Sequence, residues 1–333
     1  MDGIHFGEKQ ILLRNENYPD TYSCHIRDPK VFREEDRYYM VLGARTRDSR
    51  GASLLYSSKD KFHWEYEREF LLEEDFGYMW ECPDIFCVED RWFLSCSPQG
   101  LTHEKYRFQN VYQSGYFMLE ENFLEKGLEE GANFHEWDMG FDFYAPQTFE
   151  DEKGRRILIG WMGIPDADYT NIPTLQYGWQ HILTMPRVVT SKNGKLLQNP
   201  PEEFKKLRRK GKTLSGEFLK TEELYELEMN GLENQNLSMT ICEDLHLCYE
   251  KESGIFTMNF TGKAGYGRRK RQCRLEPLTS LRIFVDRSAI EIYINEGETV
   301  FSTRFYPTDY TLQFEMKKGN AKYFPLKQME VSC

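Results

Sequence analysis

The amino-acid sequence predicts an all-β fold in which a β-propeller is followed by a C-terminal β-sandwich. Aromatic residues make up 15% of the 333 residues, and Tyr and Phe, which favour strands over helices, account for 20 and 23 of them. A strand motif of the form Pro-x-x-Phe recurs before residue 198, and short alternating strands return after residue 213. These observations predict strands along the whole chain and a change of architecture near residue 200.

The Pro-x-x-Phe motif belongs to a repeated hairpin. Each copy is a Pro-x-x-Phe strand, a charged turn and a second apolar strand, which together are typical of a β-hairpin. Three clear copies and one weaker copy span residues 28–42, 82–95, 145–161 and 186–197. Their prolines are 54, 63 and 40 residues apart, which suits four-stranded propeller blades with outer loops of different lengths. Unrelated hairpins within one large β-sandwich are the alternative interpretation.

The sequence predicts three segments. Residues 1–198 form a partial propeller, residues 199–212 form a Pro-marked linker with a short charged helical turn, and residues 213–333 form the sandwich. Among the sandwich strands, residues 281–286 and 289–294 show the clearest pattern.

Composition excludes several classes of function. The chain has 43 Lys+Arg against 54 Asp+Glu, and its net charge of −11 argues against a protein that binds the phosphate backbone of nucleic acid. The basic run at residues 268–271 is interpreted as a solvated loop, with an anion site as the alternative. No secretory signal pattern occurs, and no apolar run reaches the roughly 18–20 residues of a membrane helix. We therefore expect a cytoplasmic protein without membrane or nucleic-acid partners.

Cysteine and histidine usage predicts neither a metal site nor a disulfide framework. The eight cysteines contain no C-x-x-C pair, and the seven histidines form no series of metal ligands. Without a signal peptide, the cysteines are expected to be reduced thiols.

Polar and aromatic side chains precede the proline of each clear hairpin, and in a propeller such strand starts line one central funnel. They are Arg27 and Asp28, Glu81 and Cys82, and Asp142 and Tyr144. Paired carboxylates in an aromatic-lined funnel indicate glycoside cleavage, in which one carboxyl protonates the leaving oxygen and another attacks or activates water. Strand alternation would point Asp28 and Glu81 to opposite sides. If both belong to the site, the backbone before the prolines must be irregular.

Glu81 is the better candidate for the acid. It follows apolar residues 78–80, and apolar neighbours favour the uncharged form of a carboxyl. Asp28 adjoins Arg27, whose guanidinium favours the ionised carboxylate that would stabilise an oxocarbenium-like transition state. The structural alternatives are a turn with a local Arg27–Asp28 ion pair and a surface carboxylate at Glu81.

Several longer motifs follow one another along the chain. They are Arg27-Asp28-Pro29, Glu81-Cys82-Pro83-Asp84, Phe141-Asp142-Phe143-Tyr144-Ala145-Pro146-Gln147, Gly160-Trp161-Met162, Gly178-Trp179-Gln180-His181, Leu183-Thr184-Met185-Pro186-Arg187 and Ile283-Phe284-Val285-Asp286-Arg287-Ser288. In this order they resemble the signature motifs of glycoside hydrolase family 32, which contains invertases, fructanases and sucrose-6-phosphate hydrolases. The resemblance covers essentially the whole chain, and residues 95–100 and 163–166 are most similar to the sucrose-6-phosphate hydrolase branch.

The resemblance implies a five-bladed propeller followed by a β-sandwich. It also implies a retaining β-fructofuranosidase that acts on sucrose, sucrose-6-phosphate or a fructan end and needs no metal or organic cofactor. Glu81 would be the general acid/base and Asp28 the transition-state stabiliser, with Arg27 beside it in the fructose pocket. Weaker assignments as substrate-binding residues are Cys82, Asp142, Tyr144 and Trp161. For Trp161, a place in the hydrophobic core is the alternative.

Family members carry a Trp-Met-Asn-Asp-Pro-Asn-Gly type motif whose Asp is the nucleophile, and this sequence contains no such motif. The first blade and part of the second are therefore expected to be missing, which agrees with four hairpins in place of five blades. We expect the chain to be inactive alone, as a natural truncation, part of a split enzyme or a fragment. Unpaired strand edges would then favour self-association or a complementary N-terminal fragment.

Two other functions fit the same residues. One is a carbohydrate-binding propeller that holds fructosides without cutting them, and the other is an arabinanase-like furanosidase on a related propeller. A pocket for a phosphorylated sugar would need basic side chains, for which Arg45, Arg47 and Lys105 are candidates.

Overall fold

The computed structural model describes residues 4–216, 218–275 and 277–330. Strands dominate these residues, against two α-helices of about one turn each, Phe123–Lys126 (α1) and Ile172–Leu175 (α2). Three short 3-10 helices are also present, at Asn15–Asn17, Glu202–Leu207 and Asn295–Gly297. The predicted all-β class is confirmed.

The chain divides into two compact units. The first comprises residues 1–87, 91–100 and 117–133, and the second comprises residues 88–90, 101–116 and 134–333. The second unit therefore contains hairpins that the sequence analysis assigned to the propeller together with all of the sandwich strands. The domain boundaries at residues 198 and 213 remain a prediction.

The first unit is built on an antiparallel four-stranded meander. Its strands, in the order in which they pair, are β1 (Tyr22–Glu34), β2 (Arg37–Thr46), β3 (Gly51–Ser58) and β4 (Glu65–Phe70). Apolar side chains of the central strands, among them Leu42, Leu54 and Tyr56, form one buried core. The next two strands, β5 (Met79–Val88) and β6 (Arg91–Gln99), pair with each other.

Seven further strands precede the sandwich. They are β7 (Gly115–Leu119), β8 (His135–Glu136), β9 (Tyr144–Glu150), β10 (Arg156–Met162), β11 (Ile182–Leu183), β12 (Arg187–Lys192) and β13 (Lys195–Asn199). Strand β10 pairs with β9, β11 and β12, and β12 pairs in turn with β13. Strand β8 pairs with the start of β7.

All four predicted hairpins are present, as β1–β2, β5–β6, β9–β10 and β12–β13. In the second hairpin the turn residues Glu89 and Asp90 have φ angles of 50° and 63°, and in the fourth Asn193 and Gly194 have 53° and 79°. Two successive positive φ angles are typical of the type I′ turn, whose twist matches that of the flanking strands. The charged turns read from the sequence therefore close the hairpins.

The remaining strands form two six-stranded sheets. In pairing order, the strands of the first sheet are β14 (Lys212–Leu214), β25 (Asn320–Pro325), β16 (Leu224–Asn230), β21 (Ser280–Asp286), β22 (Ala289–Ile294) and β23 (Thr299–Arg304). The strands of the second sheet, also in pairing order, are β15 (Leu219–Lys220), β24 (Thr311–Glu315), β17 (Leu237–Ile241), β18 (Leu245–Glu250), β19 (Ile255–Phe260) and β20 (Lys270–Arg274). Leu227 and Ile292 of the first sheet share one buried core with Met258 and Phe314 of the second. The predicted C-terminal sandwich is confirmed.

The two ends of the basic run at residues 268–271 do not form the solvated loop that the sequence predicted, although Arg269 and Lys270 between them are exposed. Arg268 is 2% exposed, and its guanidinium donates hydrogen bonds of 2.6 and 2.7 Å to the two carboxylate oxygens of Asp142. Arg271 donates to Asn110 Oδ1 at 2.7 Å and lies 4.0 Å from the centre of the Phe141 ring. The prediction was wrong because the partners of these charges lie more than 120 residues away in sequence.

A second buried ion-pair network joins β12 to the sandwich. Arg187 has a side chain that is 0% exposed, and its Nη2 donates to Asp138 at 3.0 Å, to Glu291 at 2.8 Å and to Ser302 at 2.6 Å. Buried charges destabilise a fold when a partner is removed, because the free-energy cost of taking them out of water is offset only by close ion pairs and hydrogen bonds.

The buried carboxyl of Glu136 predicts a pH-dependent stability. Burial raises its pKa from 4.5 to about 7, although Glu136 accepts a hydrogen bond from the Phe108 N–H at 3.0 Å and lies 3.8 Å from Arg107. Because the folded-state pKa exceeds the unfolded one, this carboxyl stabilises the fold below pH 4.5 and loses that contribution as pH rises through 7. The shift corresponds to about 3 kcal/mol at most.

Replacing Glu136 with glutamine should remove this dependence, because the amide keeps an acceptor for the Phe108 N–H but does not ionise. We expect urea denaturation of Glu136→Gln to show a smaller loss of stability between pH 5 and 8 than the unsubstituted chain. Glu130→Gln, at an exposed position, serves as the control and should leave the loss unchanged. Equal pH slopes for Glu136→Gln and the unsubstituted chain would contradict the assignment.

The cysteines were predicted to be reduced thiols. Seven cysteines lie in the described ranges and are free thiols, as predicted, while Cys333 lies outside those ranges. Within the same ranges, the helices are too short to cross a membrane.

Candidate active site

The backbone is irregular at the three strand starts that carry the predicted site. Asp28, Cys82 and Ala145 each lie directly before a proline and have φ angles of 61°, 48° and 47°. Non-glycine residues are strained in this conformation, which concentrates at functional sites. The pairing of β1 with β2 also shifts register between Arg27 and Lys30, and such bulges re-aim side chains. The predicted irregularity is confirmed, so strict strand alternation does not decide where these side chains point.

Glu81 is held at both carboxylate oxygens. Arg27 donates to Oε1 from Nε at 2.9 Å and from Nη2 at 2.7 Å, and Gln99 donates to Oε2 at 2.8 Å. The side chain of Glu81 is 17% exposed and that of Arg27 is 37% exposed, so solvent reaches the pair. Charge-assisted hydrogen bonds are short and directional. They therefore hold the carboxyl in one orientation while part of it stays accessible.

Asp28 is anchored to the residue that follows Glu81. Its Oδ2 accepts a hydrogen bond from the Cys82 backbone N–H at 3.0 Å, and the Cys82 thiol donates to the same oxygen at 3.7 Å. Burial and the nearby carboxylates of Asp28 and Glu81 raise the pKa of the Cys82 thiol to about 12. The thiol is therefore protonated at neutral pH and is not a nucleophile.

Arg27 does not form the local ion pair with Asp28 that the sequence suggested as an alternative; it forms an ion pair with Glu81 instead. Among the described residues, the Arg27 guanidinium pairs with Glu81, 54 residues further along the chain. The bulge in β1 turns Asp28 to the Cys82 backbone instead. The tertiary structure thus links both carboxylates to the start of the same strand, β5.

Sequence reasoning missed Gln99. It is the last residue of β6, its side chain fixes Glu81 Oε2, and its carbonyl accepts the Tyr78 N–H at 2.8 Å. Its position within residues 95–100 could have indicated it, because that segment resembles the sucrose-6-phosphate hydrolase branch. The sequence analysis assigned no function to the segment.

Asp142 lies in the second unit and has protein partners at both carboxylate oxygens. It is 0% exposed, and besides Arg268 it accepts hydrogen bonds from Thr303 Oγ1 at 3.1 Å and the Arg304 N–H at 2.8 Å. These contacts make Asp142 an anchor between β9 and the sandwich. Its predicted role in substrate binding stays a prediction.

Tyr144 and Trp161 face each other across the β9–β10 pair, with ring centres 6.4 Å apart. Tyr144 is 2% exposed, whereas Trp161 is only partly buried and contacts His181 at 4.9 Å between ring centres. Trp161 borders a cavity of about 220 Å³ in the second unit. It is therefore a partly buried residue of the cavity wall, and its role in substrate binding stays a prediction.

The three basic side chains that are candidates for a phosphate site each contact another residue of the protein. The Arg45 guanidinium lies 5.2 Å from the centre of the Tyr78 ring and donates to Ser49. Arg47 donates to the backbone carbonyl of Asp20, also in the first unit. Lys105 belongs to the second unit, where its ammonium contacts the Tyr106 ring. A phosphate role for any of them stays a prediction.

Two models of protein families match the chain. Residues 2–200 match the glycosyl hydrolases family 32 N-terminal domain, and residues 195–332 match the glycosyl hydrolases family 32 C-terminal domain. Together these matches cover nearly all of the sequence.

Curated relatives and solved structures agree with this result. The sucrose-6-phosphate hydrolase of Bacillus subtilis (strain 168) is 38% identical over 320 residues, which cover 92% of this chain and 66% of that protein. A family 32 β-fructofuranosidase mutant of Bombyx mori, solved in complex with sucrose, has a TM-score of 0.80 at 29% identity over 93% of this chain and 68% of that one. The sucrose-6-phosphate hydrolase structure from Lactobacillus gasseri gives a TM-score of 0.80 at 27% identity with the same coverage. The chain thus spans about two thirds of the length of these relatives.

Proposed function

The chain belongs to glycoside hydrolase family 32, and on this premise we propose that Arg27, Asp28 and Glu81 form a site for β-fructofuranosides such as sucrose or sucrose-6-phosphate. One observation carries the proposal: Glu81 is fixed at both oxygens by Arg27 and Gln99, beside an Asp28 anchored on Cys82. The names of the relatives, and the sucrose bound to the Bombyx mori protein, support the substrate class.

Glu81 is the general acid/base of the proposed reaction. A glycosidase acid must reach the leaving oxygen and donate a proton, and later accept one from water. The partial exposure of Glu81 supports access, and its three hydrogen bonds support a fixed direction of transfer. Gln99 and Arg27 are the positioning residues of this carboxyl.

Asp28 is the proposed stabiliser of the transition state. Cleavage of a glycosidic bond builds positive charge on the sugar ring, which an ionised carboxylate stabilises. The hydrogen bond from the Cys82 N–H supports an oriented, charged Asp28. A protonated Cys82 thiol adds a second donor to the same oxygen and brings no negative charge of its own.

A retaining reaction also needs a carboxylate nucleophile about 5–5.5 Å from the acid. We propose that the polypeptide of residues 1–333 binds fructosides but does not hydrolyse them alone. Two contacts support this: Asp28 accepts its hydrogen bonds from Cys82, and both carboxylate oxygens of Asp142 are paired with Arg268. A complementary polypeptide is the partner that would supply such a carboxylate, and the free thiols in the described ranges support a cytoplasmic location of this chain.

The test combines calorimetry with a fructose-release assay on the 333-residue chain. We expect sucrose or sucrose-6-phosphate to bind, with no more turnover than Glu81→Gln shows. Clear turnover that Glu81→Gln abolishes would support the hydrolase site and contradict the proposed inactivity. Absence of binding for both sugars would contradict the fructoside site itself.

A further inference from the structure

Lys30 and Asp84 form an ion pair between two strands of the first unit that belong to different sheets. The Lys30 Nζ lies 3.7 Å from the Asp84 Oδ2. Lys30 is in β1, which pairs with β2, whereas Asp84 is in β5, which pairs with β6. Neither residue takes part in the reaction proposed above. The ion pair therefore links the strand that carries Asp28 to the strand that carries Glu81.

The ion pair shares one register with the contacts of the proposed site. Among the described residues, three contacts join a residue of β1 to the residue of β5 that is 54 positions further along the chain. They are Arg27–Glu81, Asp28–Cys82 and Lys30–Asp84. The prolines at positions 29 and 83 have the same separation. The two strands therefore run side by side in the same direction, and a slip of one along the other would break all three contacts.

A glycine in β2 allows the start of β5 to approach the first sheet closely. Gly43 lies opposite Arg27 in the pairing of β1 with β2. A Cβ at Gly43 would lie 2.3 Å from the backbone oxygen of Trp80 and 3.3 Å from Pro83 Cδ. Only glycine permits so close an approach of two backbones. Because Trp80 and Pro83 lie on either side of Glu81 in the chain, this approach places the start of β5 directly against β2.

The strained backbone of the site needs support from the strands around it. Asp28 and Cys82 have φ angles of 61° and 48°, and residues in this conformation persist only where the surrounding structure holds them. Lys30 and Asp84 each lie two residues further along, directly after the prolines. The Asp84 side chain is 1% exposed and that of Lys30 is 28% exposed. A buried carboxylate requires its cation, so the ion pair opposes separation of the two strands.

We propose that Lys30 and Asp84 are positioning residues of the proposed site. They hold β1 against β5 in the shared register and thereby keep the carboxylates of Asp28 and Glu81 on their hydrogen-bond donors. The inference rests on the proposed function for the choice of sucrose as the ligand. A purely structural ion pair would instead contribute to the free energy of unfolding and leave the folded site unchanged.

The Cys82 thiol reports the register of the two strands without any sugar. Burial and the carboxylates of Asp28 and Glu81 raise its pKa to about 12, so its alkylation by iodoacetamide is slow. Separation of β1 from β5 would expose the thiol and remove the Asp28 carboxylate, which lowers the pKa and speeds alkylation. Mass spectrometry of peptides from the 333-residue chain, treated at about pH 9, gives the rate. Cys96, which is 1% exposed in β6, reports unfolding of the same unit.

Lys30→Gln and Asp84→Asn each remove the charge of one partner. In both variants we expect Cys82 to be alkylated about tenfold faster and sucrose affinity, measured by calorimetry, to fall about tenfold, because small displacements of positioned groups have large effects. Lys30→Arg keeps the positive charge and should retain nearly the rate and affinity of the unsubstituted chain. Glu67→Gln neutralises a carboxylate that pairs with Arg37 inside the first sheet, and as the matched control it should change neither value.

An unchanged alkylation rate of Cys82 in folded Lys30→Gln would overturn the proposal, even if the variant is less stable. Unchanged sucrose affinity despite faster alkylation would overturn it as well. Reaction of Cys96 in both charge-removing variants would also count against it, because the ion pair would then support the whole unit and not the register. Faster alkylation of Cys82 in a chain that binds no sucrose would support the role of the ion pair in strand register and contradict the proposed function.

Discussion

Replacing Arg187 with methionine should lower the free energy of unfolding by about 3–5 kcal/mol, which is typical for a buried ion pair that loses one partner. The substitution leaves Asp138 and Glu291 without the guanidinium that both now contact, in a region with side-chain exposures of 0% and 4%. Methionine has a similar length, so lost packing contributes less than the uncompensated charge. Urea denaturation followed by circular dichroism measures the effect.

The pH dependence of Arg187→Met distinguishes charge from packing. Burial already raises the pKa of Asp138, and Arg187 opposes that rise. Without Arg187 the folded-state pKa rises further, so the stability of the variant should fall more steeply than that of the unsubstituted chain as pH increases from 5 to 8. A loss of the same size at all pH values would assign the effect to packing instead.

A surface ion pair supplies the control for this prediction. Lys195 and Glu298 pair with side chains that are 53% and 40% exposed. Exposed pairs contribute about 0–1 kcal/mol, so Lys195→Ala should leave the unfolding midpoint nearly unchanged. A comparable loss for Lys195→Ala and Arg187→Met would show that burial does not decide the energetics of these pairs.

Replacing Arg27 with alanine should weaken sucrose binding by about 10- to 100-fold. Hydrogen bonds to charged groups contribute about 1.5–3 kcal/mol each, and Arg27 both orients Glu81 and offers its remaining donor surface to the sugar. Arg27→Lys should recover only part of the affinity, because an ammonium keeps the charge but not the planar pair of donors. Calorimetric titration with sucrose gives the three dissociation constants.

Arg37 is the matched control for Arg27. It lies in the same meander, its side chain is 36% exposed, and it pairs with Glu67 at 3.5 Å. Arg37→Ala removes an arginine of similar exposure that also pairs with a glutamate but lies outside the proposed site, so sucrose affinity should not change. Equal losses in Arg27→Ala and Arg37→Ala would indicate a general effect on the fold and count against the site.

Much of the local structure could be predicted from the sequence because it depends on neighbouring residues. A proline, an apolar strand and a charged turn recur within about fifteen residues, and the structure contains a hairpin at each recurrence. An irregular backbone before the prolines was also expected, because regular strand alternation would point Asp28 and Glu81 to opposite sides, and Asp28 and Cys82 both have positive φ angles. The sandwich followed from alternating strands after residue 213.

The sequence by itself determined the class of fold, the hairpins and the candidate carboxylates of the proposed site. Only the tertiary structure decided which charges meet: Arg27 bonds Glu81 and not its neighbour Asp28, and Arg268 is buried on Asp142 instead of solvated. The physical reason is sequence separation. Hairpins form from contacts within a few residues, whereas these ion pairs join positions 54 and 126 residues apart. Such pairs exist only after the strands have packed and brought the two charges together.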